Sequence, residues 1–165
     1  MMLRDETPAD VDAISTLTTK AFSSQPHSSG TEAQIIDALR AEGDLTLSLV
    51  AVDQGVIVGQ ITFSPVAISG AHDDWFGLGP VSVQPERQGK GIGASLVLEG
   101  LDRLRQIGAK GCVLVGDPAY YGRFGFSGNC GLVYGDLDPI YVQGLVLSPP
   151  ARTGTIQYAD AFQGA

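Results

Sequence analysis

Apolar residues recur every three to four positions in three segments of this chain, and each segment predicts an amphipathic helix. The predicted helices cover 11–21, 31–43 and 91–107. The first follows a Thr-Pro-Ala-Asp start, which suits a helix N-terminus, and Gly108 ends the third. The third is the clearest, and its apolar stripe is predicted to contain Ile92, Leu96, Leu101, Leu104 and Ile107.

Runs of β-branched residues predict strands between and after these helices. Residues 46–52 and 56–63 flank the turn at 53–55 and predict a β-hairpin. A strand over 75–83 contains Pro80, which cannot donate to a ladder and therefore indicates an edge, a bulge or a local splay. The remaining predicted elements are a central strand over 112–116, a helical turn over 118–124, a loop over 127–139, and strands over 141–147 and 154–158. This order predicts an α/β sandwich around a mixed sheet.

The composition is that of one folded domain, which we expect to span residues 1–165. Hydrophobic residues make up 44% of the chain and charged residues 17%. No apolar run approaches the roughly 20 residues of a membrane span. Residues 1–6 turn acidic at once and lack an apolar core, so we expect no signal peptide and a cytoplasmic protein without a membrane partner.

The charge is uneven along the chain. The net charge of −8 disfavours nucleic-acid binding, which needs a basic face. Six of the ten basic residues nevertheless lie between Arg87 and Arg123, so this stretch carries +3 and the rest −11. A basic island suits an anionic cofactor, whereas the acidic remainder favours a cationic acceptor. The two cysteines, Cys112 and Cys130, are expected to be free and structural, and no metal site is expected.

A glycine-spaced loop joins the strand over 75–83 to the long helix, with the sequence Gln88-Gly89-Lys90-Gly91-Ile92-Gly93-Ala94. Glycines permit a tight turn and let phosphate oxygens approach the free amides at a helix N-terminus. Lys90 adds a positive charge. The loop therefore predicts a phosphate site.

Three kinds of phosphate loop compete for this stretch. The Gly-x-x-x-x-Gly-Lys-Ser/Thr string of a P-loop is absent from the sequence. The Rossmann pattern Gly-x-Gly-x-x-Gly/Ala is matched by Gly89, Gly91 and Ala94, but five residues separate the strand from its first glycine. The acyltransferase pattern Gln/Arg-x-x-Gly-x-Gly/Ala is matched at every specified position. An ordinary glycine-rich helix entry stays open as well.

The chain resembles the GNAT superfamily of N-acetyltransferases, most closely its bacterial YhbS-like branch. The resemblance covers nearly the whole chain and rests on four segments, 78–83, 88–93, 116–126 and 154–162. It implies a GNAT fold, α/β (α+β), with a central mixed, mostly antiparallel sheet whose central strands splay apart between flanking helices.

The resemblance also implies acetyl-CoA as cosubstrate, with its pantetheine lying between the splayed strands. By position, the backbone of Val81, Ser82 and Val83 would hold the pantetheine and the acetyl carbonyl. The amides expected to face the pyrophosphate follow Gln88 and belong to Gly89, Lys90, Gly91, Ile92, Gly93 and Ala94.

Family members commonly carry a tyrosine four residues before a Gly-Phe pair, and this tyrosine protonates the leaving thiolate. Gly125-Phe126 is that pair, so the resemblance places the acid on Tyr121 and leaves Tyr120 to packing or as a substitute. One departure concerns the asparagine that many members carry seven residues earlier, because Leu114 stands there and Asp117-Pro118 occupies the turn.

The resemblance implies transfer of an acetyl group to a primary amine by direct attack in a ternary complex. The acceptor would be a small molecule or a peptide, and the protein a monomer or homodimer. A CoA-binding sensor without turnover and a nucleotide-binding oxidoreductase fragment stay open as alternatives. The sequence does not identify the general base; the candidates are His27, Glu32, His72, Asp73 and Asp74.

Overall fold

The computed structural model describes residues 1–26 and 28–163, in which helices pack against two β-sheets. The helices are Val11–Phe22 (α1), Glu32–Ala41 (α2), Ile92–Gln106 (α3), Pro118–Tyr121 (α4) and Asp160–Gln163 (α5). The strands are Met2–Asp5 (β1), Leu47–Asp53 (β2), Val56–Pro65 (β3), Ala67–Ile68 (β4), Trp75–Val83 (β5), Gly111–Val115 (β6), Leu132–Val133 (β7), Val142–Val146 (β8) and Gly154–Gln157 (β9). None of the helices in this part of the chain is both long and apolar enough to cross a membrane.

The larger sheet has six strands in the order β1-β2-β3-β5-β6-β8. Its neighbours are antiparallel except β5 and β6, which run parallel. The small sheet has the order β4-β9-β7. The predicted mixed, mostly antiparallel sheet is therefore confirmed, and its one parallel pair is formed by the fourth and fifth strands.

Alternate residues of the central strands pack against different helices, as the period of two in a strand requires. Leu49 and Ile61 point to α3, where Leu96, Leu101 and Leu104 complete the main core. Val50, the next residue along β2, points to the opposite face, where it packs against Ile14 of α1 and Ile36 of α2. The small sheet covers a further cluster that contains Trp75, Val113, Leu132, Val142, Ile156 and Tyr158.

Several short elements were not predicted. Strand β1 was missed because its side chains alternate only weakly in burial, and β4, β7 and α5 span two to four residues each. Strand β7 lies inside the stretch predicted as a loop. Ile107 was wrongly placed in the apolar stripe: α3 ends at Gln106, and the side chain is 55% exposed.

Asp10 ties the N-terminal strand to the first helix. Its carboxylate accepts hydrogen bonds from Arg4 Nη1 at 2.7 Å and Nη2 at 3.1 Å, and from the backbone N–H of Thr7 at 2.7 Å. The Arg4 contact is the main reason that the pKa of Asp10 falls to about 2, against the opposing effect of burial. The charged form of Asp10 therefore stabilises the fold above the pKa of an unfolded aspartate.

We expect Asp10→Asn to lower the free energy of unfolding by about 2 kcal/mol at pH 7, the equivalent of the pKa shift. The difference should shrink as the pH falls below about 4 and should largely vanish near pH 2, because the native carboxylate is then protonated too. Urea unfolding at pH 7 and pH 3 measures this. Asp12→Asn is the matched control, since Asp12 lies two residues later, in the first turn of α1, and is exposed. Equal losses in both variants would contradict the role of the Arg4 pair.

Candidate active site

Strands β5 and β6 pair only at their beginning and then part. The pairing covers Trp75 with Gly111, Phe76 with Cys112, and Gly77 with Val113. Beyond Gly77 the strands border a groove of about 640 Å³. Residues 78–83 form one wall, Val115, Asp117, Tyr120 and Tyr121 form the other, and Ala21, Phe22 and Gln25 flank it from the end of α1.

A bulge decides which backbone groups of β5 face this groove. Val66 N–H bonds to the Trp75 carbonyl, and Gln84 N–H bonds to the Val58 carbonyl, so β5 pairs with β3 on both sides of the bulge. The register shifts between these points, at Gly79-Pro80. Gly79 has φ +130°, a conformation that favours glycine.

Antiparallel pairs alternate between hydrogen-bonded and non-bonded, so the Gln84 bond sets the pattern after the bulge. Ser82 turns its backbone toward Gln60 of β3, whereas Val81 and Val83 turn theirs toward the groove. The Gln88 side chain supports this, because its Nε2 donates to the Val83 carbonyl at 3.2 Å. Of the three β5 residues predicted to hold pantetheine, Val81 and Val83 therefore present their backbone, and Ser82 anchors the strand.

The glycine loop forms a second cavity of about 410 Å³ at the N-terminus of α3, which we call the loop cavity. The predicted residues in its lining are Val83, Gln88, Gly89, Gly91, Ile92, Gly93 and Ala94. Gly89 and Gly91 have φ +78° and +86°, which place the turn in the left-handed region. Lys90 is exposed and lies in the loop without lining the cavity. The helix N-terminus and the turn together give the amides that an anion needs.

The basic island is smaller in the fold than in the sequence. Arg87, Arg103 and Lys110 form ion pairs with Asp53, Asp5 and Asp73, at 2.6, 3.1 and 3.1 Å. Arg123 lines the loop cavity, and within residues 1–26 and 28–163 it has no carboxylate partner. Its guanidinium lies 4.3 Å from the Tyr120 ring centroid, and its Nε donates to the Tyr120 carbonyl. Sequence reasoning missed this side chain as a site residue.

Tyr120 lies where the two cavities meet. It lines both, and a Cβ added to Gly93 would lie 3.3 Å from its hydroxyl. The sequence assigns Tyr120 mainly to packing, whereas in the fold its hydroxyl lies beside Gly93, at the wall of the loop cavity.

Tyr121 lines the groove but not the loop cavity. Its ring packs against the backbone of Gly116. A Cβ at Gly116 would come within 2.7 Å of this ring, so any larger residue there would displace the ring. Burial, with smaller contributions from Tyr120 and Cys112, raises the pKa of Tyr121 to about 12. The phenol is therefore protonated and able to donate a hydrogen bond at neutral pH.

Of the five predicted base candidates, the four that the structure describes do not line the groove. His27 lies outside the described residues. Glu32 accepts from the Ser28 hydroxyl, Asp73 pairs with Lys110, and the Asp74 carbonyl accepts from the Lys110 N–H. His72 lines a separate cavity of about 230 Å³ together with Asp44 and Asp160.

Asp117 is the carboxylate in the groove lining, and its side chain accepts from the Ala119 N–H at the start of α4. The described residues hold no group of three or more His, Cys, Asp and Glu placed to bind a metal ion.

The geometry agrees with comparisons to known proteins. Residues 3–128 match the family described as "Acetyltransferase (GNAT) domain". The chain is 41% identical over 128 residues to the "uncharacterized N-acetyltransferase YhbS" of Escherichia coli (strain K12), covering 77% of this chain and 74% of that protein.

Two solved structures share the whole architecture. A GNAT family acetyltransferase from Brucella melitensis, in complex with acetyl-CoA, superposes with a TM-score of 0.88 at 47% identity, covering 98% of this chain and 97% of that one. The YhbS structure from Escherichia coli, in complex with CoA, superposes with a TM-score of 0.90 at 34% identity, covering 98% and 91%. The family resemblance and the fold predicted from the sequence are thus confirmed, and this chain belongs to the GNAT family of N-acetyltransferases.

Proposed function

We propose that this protein transfers the acetyl group of acetyl-CoA to a primary amine by direct attack in a ternary complex. The observation that carries the proposal is the groove between β5 and β6, which leads from the paired ends of the strands to the glycine loop. The solved structures of the Brucella and Escherichia coli proteins contain acetyl-CoA and CoA, respectively. Pantetheine in the groove and pyrophosphate at the loop fit this shape.

The contacts follow from the groove and the loop. Val81 and Val83 would form hydrogen bonds with the pantetheine and the acetyl carbonyl through the backbone groups that face the groove. Amides from Gly89 to Ala94 would bond the pyrophosphate, with the Gln88 side chain at the boundary between the two cavities.

The cysteines favour direct attack over a covalent acyl-enzyme. Cys112 is fully buried, and burial strongly raises the pKa of its thiol. Neither Cys112 nor Cys130 is among the residues that line the groove. A buried thiol with a raised pKa, such as that of Cys112, is a poor nucleophile. With Cys130 outside the groove lining as well, the amine would attack acetyl-CoA itself.

We assign to Tyr121 the hydrogen bond to the leaving sulfur. Complete proton transfer from a phenol of pKa about 12 to a thiolate of pKa about 8.5 is uphill by roughly 5 kcal/mol. A hydrogen bond that strengthens as charge develops on sulfur stabilises the transition state at lower cost. Tyr121 would therefore hydrogen-bond the sulfur as the C–S bond breaks. Its proton would pass to the thiolate only as the proton lost by the attacking amine replaces it at the phenol through water, so that the net transfer runs from the amine nitrogen to the sulfur.

The acceptor is proposed as a small-molecule or peptide amine, in keeping with the net charge of −8. The cytoplasmic location, the absence of a nucleic-acid partner, the monomeric or homodimeric state and the single domain over 1–165 stay predictions from the sequence.

Release of CoA thiol from acetyl-CoA, followed with a thiol reagent across a panel of amines, tests this function. We expect release that depends on both substrates and no burst of thiol before amine is added. A burst equal to the enzyme concentration without amine would indicate an acyl-enzyme. Binding of acetyl-CoA without turnover on any amine would indicate a sensor instead.

We expect Arg123→Ala to weaken CoA about tenfold and Lys90→Ala to weaken it less. Both side chains are exposed and both charges are screened by salt, but Arg123 lines the loop cavity and is oriented by its contact with the Tyr120 ring, whereas Lys90 does not line the cavity. Calorimetry at low and high salt measures both variants. A greater loss with Lys90→Ala would show that the two cations have been ranked wrongly.

A further inference from the structure

We propose that Thr62 is a positioning residue for acetyl transfer: its hydroxyl holds the Pro80 carbonyl and so aims the Val81 N–H into the groove. The inference rests on the function proposed above. Thr62 lies on β3 and does not line the groove, so it would act through the backbone of β5.

The contact that carries the inference lies inside the protein. Thr62 Oγ1 donates to the Pro80 carbonyl oxygen at 2.8 Å, and the Thr62 side chain is fully buried. This hydrogen bond lies at the bulge, where the register between β3 and β5 shifts. Bulges interrupt the regular ladder, so the side chain provides at this point an orientation that regular pairing would otherwise provide.

The peptide that joins Pro80 to Val81 transmits this orientation. The peptide unit is planar, and in its trans form the C=O and N–H bonds point in opposite directions. Because Thr62 draws the Pro80 oxygen toward β3, the Val81 N–H must point away from β3, toward the groove. The alternation set by the Gln84–Val58 bond gives the same direction for Val81.

A fixed N–H at this position has a chemical use. Attack of an amine on a thioester places negative charge on the acetyl oxygen, and a donor that is already oriented stabilises that charge without reorganising. If the Pro80–Val81 peptide could rotate, part of this stabilisation would be lost, although pantetheine and pyrophosphate contacts would remain.

The neighbouring residue is anchored separately. Ser82 Oγ lies 3.3 Å from Thr18 Oγ1 and 3.5 Å from Gln60 Oε1. Loss of the Thr62 hydroxyl should therefore disturb one peptide and leave the rest of β5 in place. Ser64 offers a matched control, since it follows two residues later on the same face of β3, is fully buried, and its hydroxyl has no hydrogen-bond partner in the described chain.

The test compares Thr62→Val, Thr62→Ser and Ser64→Ala. We expect Thr62→Val to lower kcat about 10-fold or more, somewhat less than the 100- to 1,000-fold typical of deleting an oxyanion donor outright. Its affinity for CoA, which lacks the acetyl group, should change less than twofold. Thr62→Ser keeps the hydroxyl and should retain most of the activity, and Ser64→Ala should match the wild type.

Infrared difference spectra of acetyl-CoA labelled with ¹³C at the carbonyl give a second readout. The hydrogen bond from the Val81 N–H should lower the stretching frequency of the acetyl carbonyl in the wild type and in Thr62→Ser. It should lower this frequency less in Thr62→Val. A Thr62→Val enzyme with wild-type kcat and an unchanged carbonyl frequency would overturn the proposal, as would equal losses in Thr62→Ser and Thr62→Val.

If Thr62→Val does not fold, Thr62→Ala is compared with Thr62→Ser, because those two side chains differ by the hydroxyl alone. Failure of the proposed function would appear separately, as a wild-type protein that transfers acetyl to no amine. The carbonyl spectrum needs only bound acetyl-CoA, and it therefore tests the role of Thr62 even in that case.

Discussion

Gly91→Asp and Gly93→Asp are expected to abolish binding of acetyl-CoA, a loss of at least 100-fold, while the protein still folds. Each substitution places a side chain and a negative charge where the amides would meet the pyrophosphate. The reasons differ in detail. Gly91 has φ +86°, which costs about 1 kcal/mol for another residue, whereas a Cβ at Gly93 would crowd the Tyr120 hydroxyl at 3.3 Å.

Calorimetry with acetyl-CoA, alongside thermal unfolding, measures the effect. Gly43→Asp is the control for backbone strain, because Gly43 has φ +77° at the end of α2 with open space around its Cα, away from both cavities. It should lose stability like Gly91→Asp and keep its affinity. Wild-type affinity for acetyl-CoA in either loop variant would contradict the assignment of the pyrophosphate to this cavity.

Tyr121→Phe is expected to lower turnover by roughly 10²- to 10⁴-fold, the usual effect of losing a positioned acid. Only a hydroxyl is removed, so the ring still packs against Gly116 and the affinity for CoA should be nearly preserved. Tyr120→Phe should reduce turnover far less and should act mainly on cofactor binding, because its hydroxyl lies beside Gly93.

The pH profile gives a further test of Tyr121. With a pKa of about 12, its phenol should stay protonated, so the alkaline limb of the wild-type rate between pH 7 and 10 should not arise from this group. Steady-state rates of both phenylalanine variants on one good acceptor provide the comparison. Near-wild-type turnover in Tyr121→Phe would assign the residue to packing and leave solvent to protonate the sulfur.

Much of this architecture could be predicted from residue patterns. The apolar residues of the long helix α3 follow the 3.6-residue period clearly. Pro80 predicted a distorted strand because proline cannot donate a hydrogen bond to a β-ladder. The glycine loop could be predicted because its spacing places glycines where the backbone adopts a left-handed conformation, as the positive φ values of Gly89 and Gly91 show.

Other features depend on contacts distant in sequence and could not be predicted. Thr62 and Pro80 meet across two strands, 18 residues apart, and nothing in either local pattern marks the pair. Arg123 looked like one cation of six, and its place became visible only when the fold paired Arg87, Arg103 and Lys110 with carboxylates. The short strands β4 and β7 exist because they pair with β9, and two residues carry no period of their own.

A crystal structure of this protein with acetyl-CoA tests the central claim most directly. We predict pantetheine between β5 and β6, its polar groups bonded to the backbone of Val81 and Val83, and the acetyl oxygen within about 3 Å of the Val81 nitrogen. The pyrophosphate should lie against the amides from Gly89 to Ala94. An acetyl carbonyl directed away from β5, or a cofactor bound outside this groove, would contradict the proposed site.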